Sequence, residues 1–548
     1  MPPFVLFVIV FIATIIIVTV TNNITTKRRR MEALARNFGK PPAKDDSFQF
    51  ESVARYHRFM LNHNPSQQQV DSITWNDLDM DRVYTRINAC QTSVGEEYLY
   101  HILHDLPLNS NALSKREELI SFFAKNPDVR TKVQTSLAQS VGKENFNGLS
   151  SLLFAPSATA LKWPHLYRAM AVLPLVMILT MFFHLPMGII GMVLTFIANA
   201  FTHYRAKMRI TVELPSIKYL SGMLRCCKQL AKISELHDLT ANIRQQHANL
   251  KRKVPVMSSP TGGNMDIIYE YFNIIFLIDV RNYNKVMSTI RKHNAEFLEL
   301  YRLVGEIDVS IAVLSFRHSL PGYCLPELHS SPTLVCEDIY HPLIDNPVTN
   351  SASIANDTLL TGSNASGKST FIKALAINGI LAQTINTCTA TLFRTRYSLI
   401  MTSMVVRDDL SEGDSYFIVE IKSLKRVLDM VEKHPCTCYI DEILRGTNTI
   451  ERIAASSSVL THLHQKDALC VAATHDIELT NILADMYDNF HFCEQVTSDG
   501  ILFDYKLKDG PSTSRNAIKL LGVMDFPEEI ILQAEGVANE LASTHRAS

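Results

Sequence analysis

The chain has 548 residues with 53 Lys+Arg against 54 Asp+Glu, a formal charge of −1. That balance excludes attachment to nucleic acid by bulk charge, because counterion release needs a surplus of cations facing phosphate. A 47% hydrophobic content with mean hydropathy +0.05 excludes wholesale disorder and points to some contact with lipid, and the length suggests roughly three or four domains. The ten cysteines are scattered, with no Cys-x2-Cys repeat to hold zinc, so ordinary reduced thiols are expected.

In chain order, the first predicted element is apolar. Phe4 to Val20 reads FVLFVIVFIATIIIVTV, and the basic cluster Lys27 to Arg30 follows it. At 1.5 Å per residue such a run spans ~26 Å, near the short limit for a transmembrane helix. With positive charge after the apolar run and no small-residue cleavage site, residues 1–30 read as an uncleaved signal anchor, its N-terminus outside and the remaining chain cytoplasmic. Residues 31–74 read as a linker.

Residues 75–165 carry apolar positions at helical spacing, such as Leu78, Val83 and Ile87, then Leu99, Ile102 and Leu103. A second apolar stretch, Ala169 to Phe201 within 166–209, is interrupted by Pro174, His184, Pro186 and Gly188. Arg168 precedes it, and Arg205, Lys207 and Arg209 follow, so both ends should face the cytoplasm. A helical hairpin turning near His184-Leu185-Pro186 is expected, spanning or re-entrant; the alternative is a buried hairpin of a soluble core. Residues 210–330 read as further long helices, one over 214–252 and one from Met265 to about Val304. The bases Arg281, Lys285, Arg291 and Lys292 are interleaved with Asp279, Glu296 and Glu299, the pattern of a solvated face.

Chemistry becomes legible in residues 331–510. The short strand Thr358-Leu359-Leu360 runs into Gly362, Ser363, Asn364, Ala365, Ser366, Gly367, Lys368, Ser369 and Thr370, and an apolar helix pattern follows. This is Gly-x4-Gly-Lys-Ser/Thr in its strand–loop–helix setting, the Walker A phosphate loop of ATP-binding proteins. Loop N–H groups and a helix N-terminus would cradle the phosphates, Lys368 would meet the β- and γ-phosphates, and Ser369 would ligate Mg²⁺. A second strand ends in Asp441-Glu442, fitting a metal-holding acid and a general base. A third strand, Ala468 to Thr474, ends at His475, a candidate γ-phosphate sensor. Strands alternating with helices predict an α/β parallel sheet with the site at the strand ends.

The runs TGSNASGKST, DDLSEGDSYFIVE, YIDEILRGTNT and AATHDIELT resemble, in order and spacing, the ATPase domain of the MutS family of DNA mismatch-repair proteins over roughly residues 335 to 541. The resemblance implies a P-loop ATPase domain of ABC type at the C-terminus, preceded by an all-α core that here includes transmembrane helices. It implies ATP and Mg²⁺ as cofactors, Glu442 and His475 as catalytic, and Ser369 and Asp441 as metal ligands. Ser415 falls on the signature serine that reaches the γ-phosphate of a partner subunit, which implies a homodimer, and residues 511–548 resemble the family's helix-turn-helix dimerisation segment. DNA binding and mismatch repair are implied too. More weakly, TRINACQTSVGEEYLYHILHDLPL resembles the start of the family's core, and Leu303 to Ser315 the end of its lever helix.

Departures bear on function. Residues before 75 leave no room for a mismatch-reading domain, no Phe-x-Glu wedge stands there, Leu444 replaces the usual glycine, and Val348 stands where the family's base-stacking aromatic aligns. Two readings follow: a membrane-anchored, multi-pass MutS-like ATPase with a cytoplasmic ATPase domain and the DNA-binding and mismatch-repair role that the resemblance implies, or a membrane-associated mechanical ATPase or scaffold without mismatch recognition.

Overall fold

The computed structural model describes residues 3–43, 50–63, 68–107, 111–143, 148–154, 161, 163–211, 213–236, 241–251, 264–363, 366–404, 416–445, 447–497, 500–512, 526–534 and 536–537. These fall into two compact units, each assembled from separate stretches of chain.

The first unit, Met1–Ser66, Ile87–His101 and Ser114–Ser319, is helical. The apolar N-terminal run lies within one long helix, Pro3–Asn37. The stretch expected as a linker contains the helix Phe50–His63, which buries Val53, Tyr56 and His57. Tyr56 stacks on Tyr301 with ring centroids 4.8 Å apart, so aromatic packing helps recruit this half-polar sequence.

Helices Pro164–Phe183 and Leu185–Arg209 form a hairpin whose turn is the single residue His184. Close approach comes from small residues. A Cβ on Gly188 would lie 2.6 Å from the backbone N of Met181, and one on Gly191 would lie 2.3 Å from Met177 Sδ. Buried Asn199 joins three helices, its amide donating to Met170 O at 3.1 Å and to Ile275 O at 2.6 Å. Both helices are long and apolar enough to cross a membrane, and only 17% of each apolar window is buried.

The helix expected from Met265 to Val304 is three helices: Asn264–Phe276, Ile278–Lys292 and Asn294–His318. Leu277 breaks it in a left-handed conformation (φ 52°), and His293 breaks it again. Likewise Glu213–Leu230 and Ala241–Lys251 replace the single helix expected over 214–252. Apolar spacing continues across each break, so periodicity alone does not reveal it.

The second unit comprises Gln67–Arg86, Ile102–Leu113 and Leu320–Ser548. Its strands are β1 (Glu327–His329), β2 (Leu334–Ile339), β3 (Asn350–Ile354), β4 (Asp357–Thr361), β5 (Leu392–Arg396), β6 (Leu399–Ser403), β7 (Cys436–Asp441), β8 (Ala468–Ala473), β9 (Tyr487–His491), β10 (Glu494–Thr497), β11 (Gly500–Phe503) and β12 (Lys508–Asp509). The main sheet has the order β12-β9-β4-β8-β7-β6, with β12 antiparallel to β9 and the other pairings parallel. β4, β6 and β7 are buried at every residue, as expected of parallel strands covered on both faces. A smaller sheet runs β1-β5-β2-β3.

An N-terminal segment far away in sequence joins this unit. Asp71 caps the helix Ser72–Asp77 by accepting from Thr74 N at 2.8 Å and pairs with Arg426. Asp77 accepts from Thr402 Oγ1 at 2.6 Å and from Met404 N at 3.1 Å, covering the end of β6. All ten cysteines are free.

Candidate active site

Three adjacent strands bring the chemistry to one edge of the sheet. β4 pairs with β8 (Leu360 opposite Ala473), and β7 pairs with β8 (Asp441 opposite Ala473). The loop after Thr361, the Asp441-Glu442 pair and the turn holding His475 therefore leave the sheet side by side, with neighbouring strands ~4.8 Å apart. Thr474 N donates to Leu360 O at 2.9 Å and Glu442 N to Ala473 O at 3.0 Å, extending the pairing into the site.

The loop after β4 depends on its glycines. Gly362 has φ 137°, and a Cβ there would lie 2.3 Å from Phe492 O. Gly367, with φ 111°, caps the helix Lys368–Ile385. Lys368 Nζ donates to the carbonyls of Gly362 at 2.7 Å and Ser363 at 2.8 Å. Burial pulls its ammonium down to about 8, opposed by the nearby Asp441 and Glu494 carboxylates. The Ser363 hydroxyl donates to Glu494 Oε2 at 2.5 Å, so it serves the loop's anchorage. Ser369 and Thr370 are exposed in the first turn of the helix. Asn364 and Ala365 lie outside the described residues, as does Ser415.

Ser366 Oγ and Asp441 Oδ1, beside the phosphate loop, are among the buried oxygens with no hydrogen-bond partner. Orphaned buried acceptors cost free energy unless a ligand or ion completes them. Among the described residues no cluster of three His, Cys, Asp or Glu side chains could hold a metal unaided. The donors present are one carboxylate and the Ser369 hydroxyl. That set fits Mg²⁺, which binds through one or two protein oxygens and completes its shell with water and phosphate oxygens.

Glu442 is gripped on both oxygens. Its Oε1 lies 2.8 Å from His475 Nε2, and Oε2 pairs with Arg445. Burial, then the Lys368 and Arg445 charges, lower the His475 pKa, which favours the neutral imidazole beside the carboxylate. Glu442 (φ 58°) and Leu444 (φ 57°) both adopt the left-handed conformation, which explains why glycine suits position 444.

A cavity of about 480 Å³ adjoins the loop, lined by residues that include Tyr340, His341, Val348, Lys368, Phe371 and Tyr505. Tyr505 was not singled out from the sequence. Asn350 fixes its loop, donating to Tyr505 O at 3.0 Å and accepting from Leu507 N at 2.8 Å. Its ring stacks on Phe503, with centroids 5.8 Å apart. The available signal was an aromatic pair two residues apart, ahead of Asp509-Gly510.

Residues 358–542 match the family model described as MutS domain V. The chain is 29% identical over 275 residues to the "DNA mismatch repair protein MutS" of Pseudothermotoga lettingae, an alignment covering 48% of this chain and 33% of that protein. It is 31% identical over 278 residues to "MutS protein homolog 4" of Mus musculus (47% and 28%) and 27% identical over 260 residues to the MutS of Thermus aquaticus (46% and 31%). The matched stretch spans about a third of the length of these relatives.

Proposed function

We propose that this chain, which belongs to the MutS family, binds and hydrolyses ATP with Mg²⁺ at an interface between two copies of itself. The observation carrying this reading is the convergence of Lys368 on its glycine loop, a buried Asp441 oxygen lacking any partner, and the Glu442–His475 pair at 2.8 Å.

Each side chain has a physical task in this reading. The ammonium of Lys368 exchanges its two carbonyl contacts for phosphate oxygens, regaining full charge as the polyanion arrives. Ser366 Oγ donates to a phosphate oxygen. Ser369 and Asp441 would hold Mg²⁺, which neutralises charge on the β- and γ-phosphates. Glu442, oriented by His475 and Arg445, still has lone pairs free on both oxygens to accept a proton from the attacking water. Tyr505 offers the aromatic face for the base that Val348 does not. Ser415, by the family resemblance, reaches the partner's γ-phosphate.

The relatives named for DNA mismatch repair support a DNA-linked role for the closed dimer. The lipid-length, exposed hairpin 164–209 supports a multi-pass location in the cell membrane with the ATPase unit in the cytoplasm. That hairpin also favours the second reading, a mechanical ATPase or scaffold acting on a membrane partner.

Phosphate release by the detergent-solubilised chain, with and without Mg²⁺, tests the enzymatic claim. Wild type should turn over and Glu442→Gln should not, while both retain ATP; unchanged turnover in the variant refutes the assigned base. Mobility shifts with matched, mismatched and branched duplexes across a salt series separate the DNA and scaffold readings. Resistance of the chain to alkaline extraction from membranes tests the hairpin.

A further inference from the structure

We propose that Glu420 is a positioning residue for the loop carrying Glu442, holding that loop through the main-chain N–H of Leu444. The inference rests on the reading of Glu442 as the group that orients water.

Glu420 lies in the helix Tyr416–Val431 and is buried. Its Oε1 accepts the Leu444 N–H, and the Arg445 backbone also bonds the carboxylate. The loop needs such a clamp. Glu442 and Leu444 both hold positive φ, which strains a non-glycine residue and persists only where surroundings enforce it. Elsewhere among the described residues the loop is held at its start, where Glu442 N donates to Ala473 O at 3.0 Å, and by a long contact from Ser456 Oγ to Ile443 O at 3.5 Å. Arg445 returns from the clamped backbone to Glu442. One buried carboxylate thus fixes both the backbone and the ion pair that aim the base.

Two substitutions separate hydrogen-bond geometry from charge. Glu420→Gln keeps an acceptor at the same reach without charge; Glu420→Asp keeps the charge but retracts it by about one methylene. Turnover and ATP affinity are measured on the full chain, with hydrogen exchange at the Leu444 and Arg445 amides. We expect Glu420→Gln within about threefold of wild-type turnover. Glu420→Asp should lose about tenfold or more with affinity little changed and those amides exchanging faster. Wild-type turnover and exchange in Glu420→Asp overturn the proposal, as does an impaired Glu420→Gln. If wild type itself hydrolyses nothing, the proposed function fails, whereas the exchange comparison still judges the clamp.

Discussion

His475 Nε2 stands 2.8 Å from Glu442 Oε1, joining the residue that follows β7 to the segment that follows β8. The contact orients the base. His475→Ala should lower turnover by about 10- to 100-fold while ATP affinity changes little. His475→Gln, which keeps an N–H at similar reach, should retain more activity; equal loss in both variants would assign His475 to the fold alone. Steady-state kinetics beside equilibrium ATP binding decide it.

The two loop glycines differ in what surrounds them. Gly362→Ala meets both an unfavourable φ and a backbone oxygen at 2.3 Å, whereas at Gly367 the nearest atom is a Tyr505 ring carbon at 3.4 Å. Gly362→Ala should therefore cost about 2 kcal/mol or more and abolish ATP binding, with Gly367→Ala the milder lesion. Denaturant melts of the two variants give the order directly.

Lys368 makes nucleotide affinity pH-dependent. With its ammonium pulled to about 8 from 10.5, ligand-free protein loses this charge as pH rises through 8. ATP affinity should weaken by up to about tenfold per pH unit above that point. Stability moves oppositely. Between about 8 and 10.5 the unfolded chain binds the extra proton, so this group favours the ligand-free fold increasingly across that window. Titration calorimetry from pH 7 to 9.5 reads the first effect.

In the helical unit, burial lifts the Glu97 carboxyl from 4.5 to about 8, and its Oε2 has no hydrogen-bond partner. A raised carboxyl pKa gives a contribution to stability that is full below about 4.5 and lost as pH rises through about 8. Melting temperature should fall across that range, and Glu97→Gln should flatten the fall. Calorimetric melting of both proteins from pH 5 to 9 checks the slope.

The strand–loop–helix at 357–385 and the acid-tipped strand ending at Asp441 were readable because they are local. A glycine spacing, an apolar run and a terminal carboxylate each lie within a few residues. What escaped the sequence was non-local or conformational. Nothing in Asp71 or Asp77 announces that they tie the helix Ser72–Asp77 to the second unit, because their partners Arg426 and Thr402 lie hundreds of residues on. Leu277 breaks a helix through its own backbone angle within an unbroken apolar pattern. Glu420 looks like an ordinary helix-surface acid until Leu444, strained at positive φ, supplies the N–H it holds.

Binding of ATP to the Glu442→Gln protein, measured by calorimetry with Mg²⁺ and repeated with Lys368→Ala added, tests the central claim most directly. The arrangement of loop, lysine and buried acid predicts one nucleotide per chain in the single variant and none in the double variant. Saturating ATP that gives no binding in the first, or equal binding in both, would contradict it.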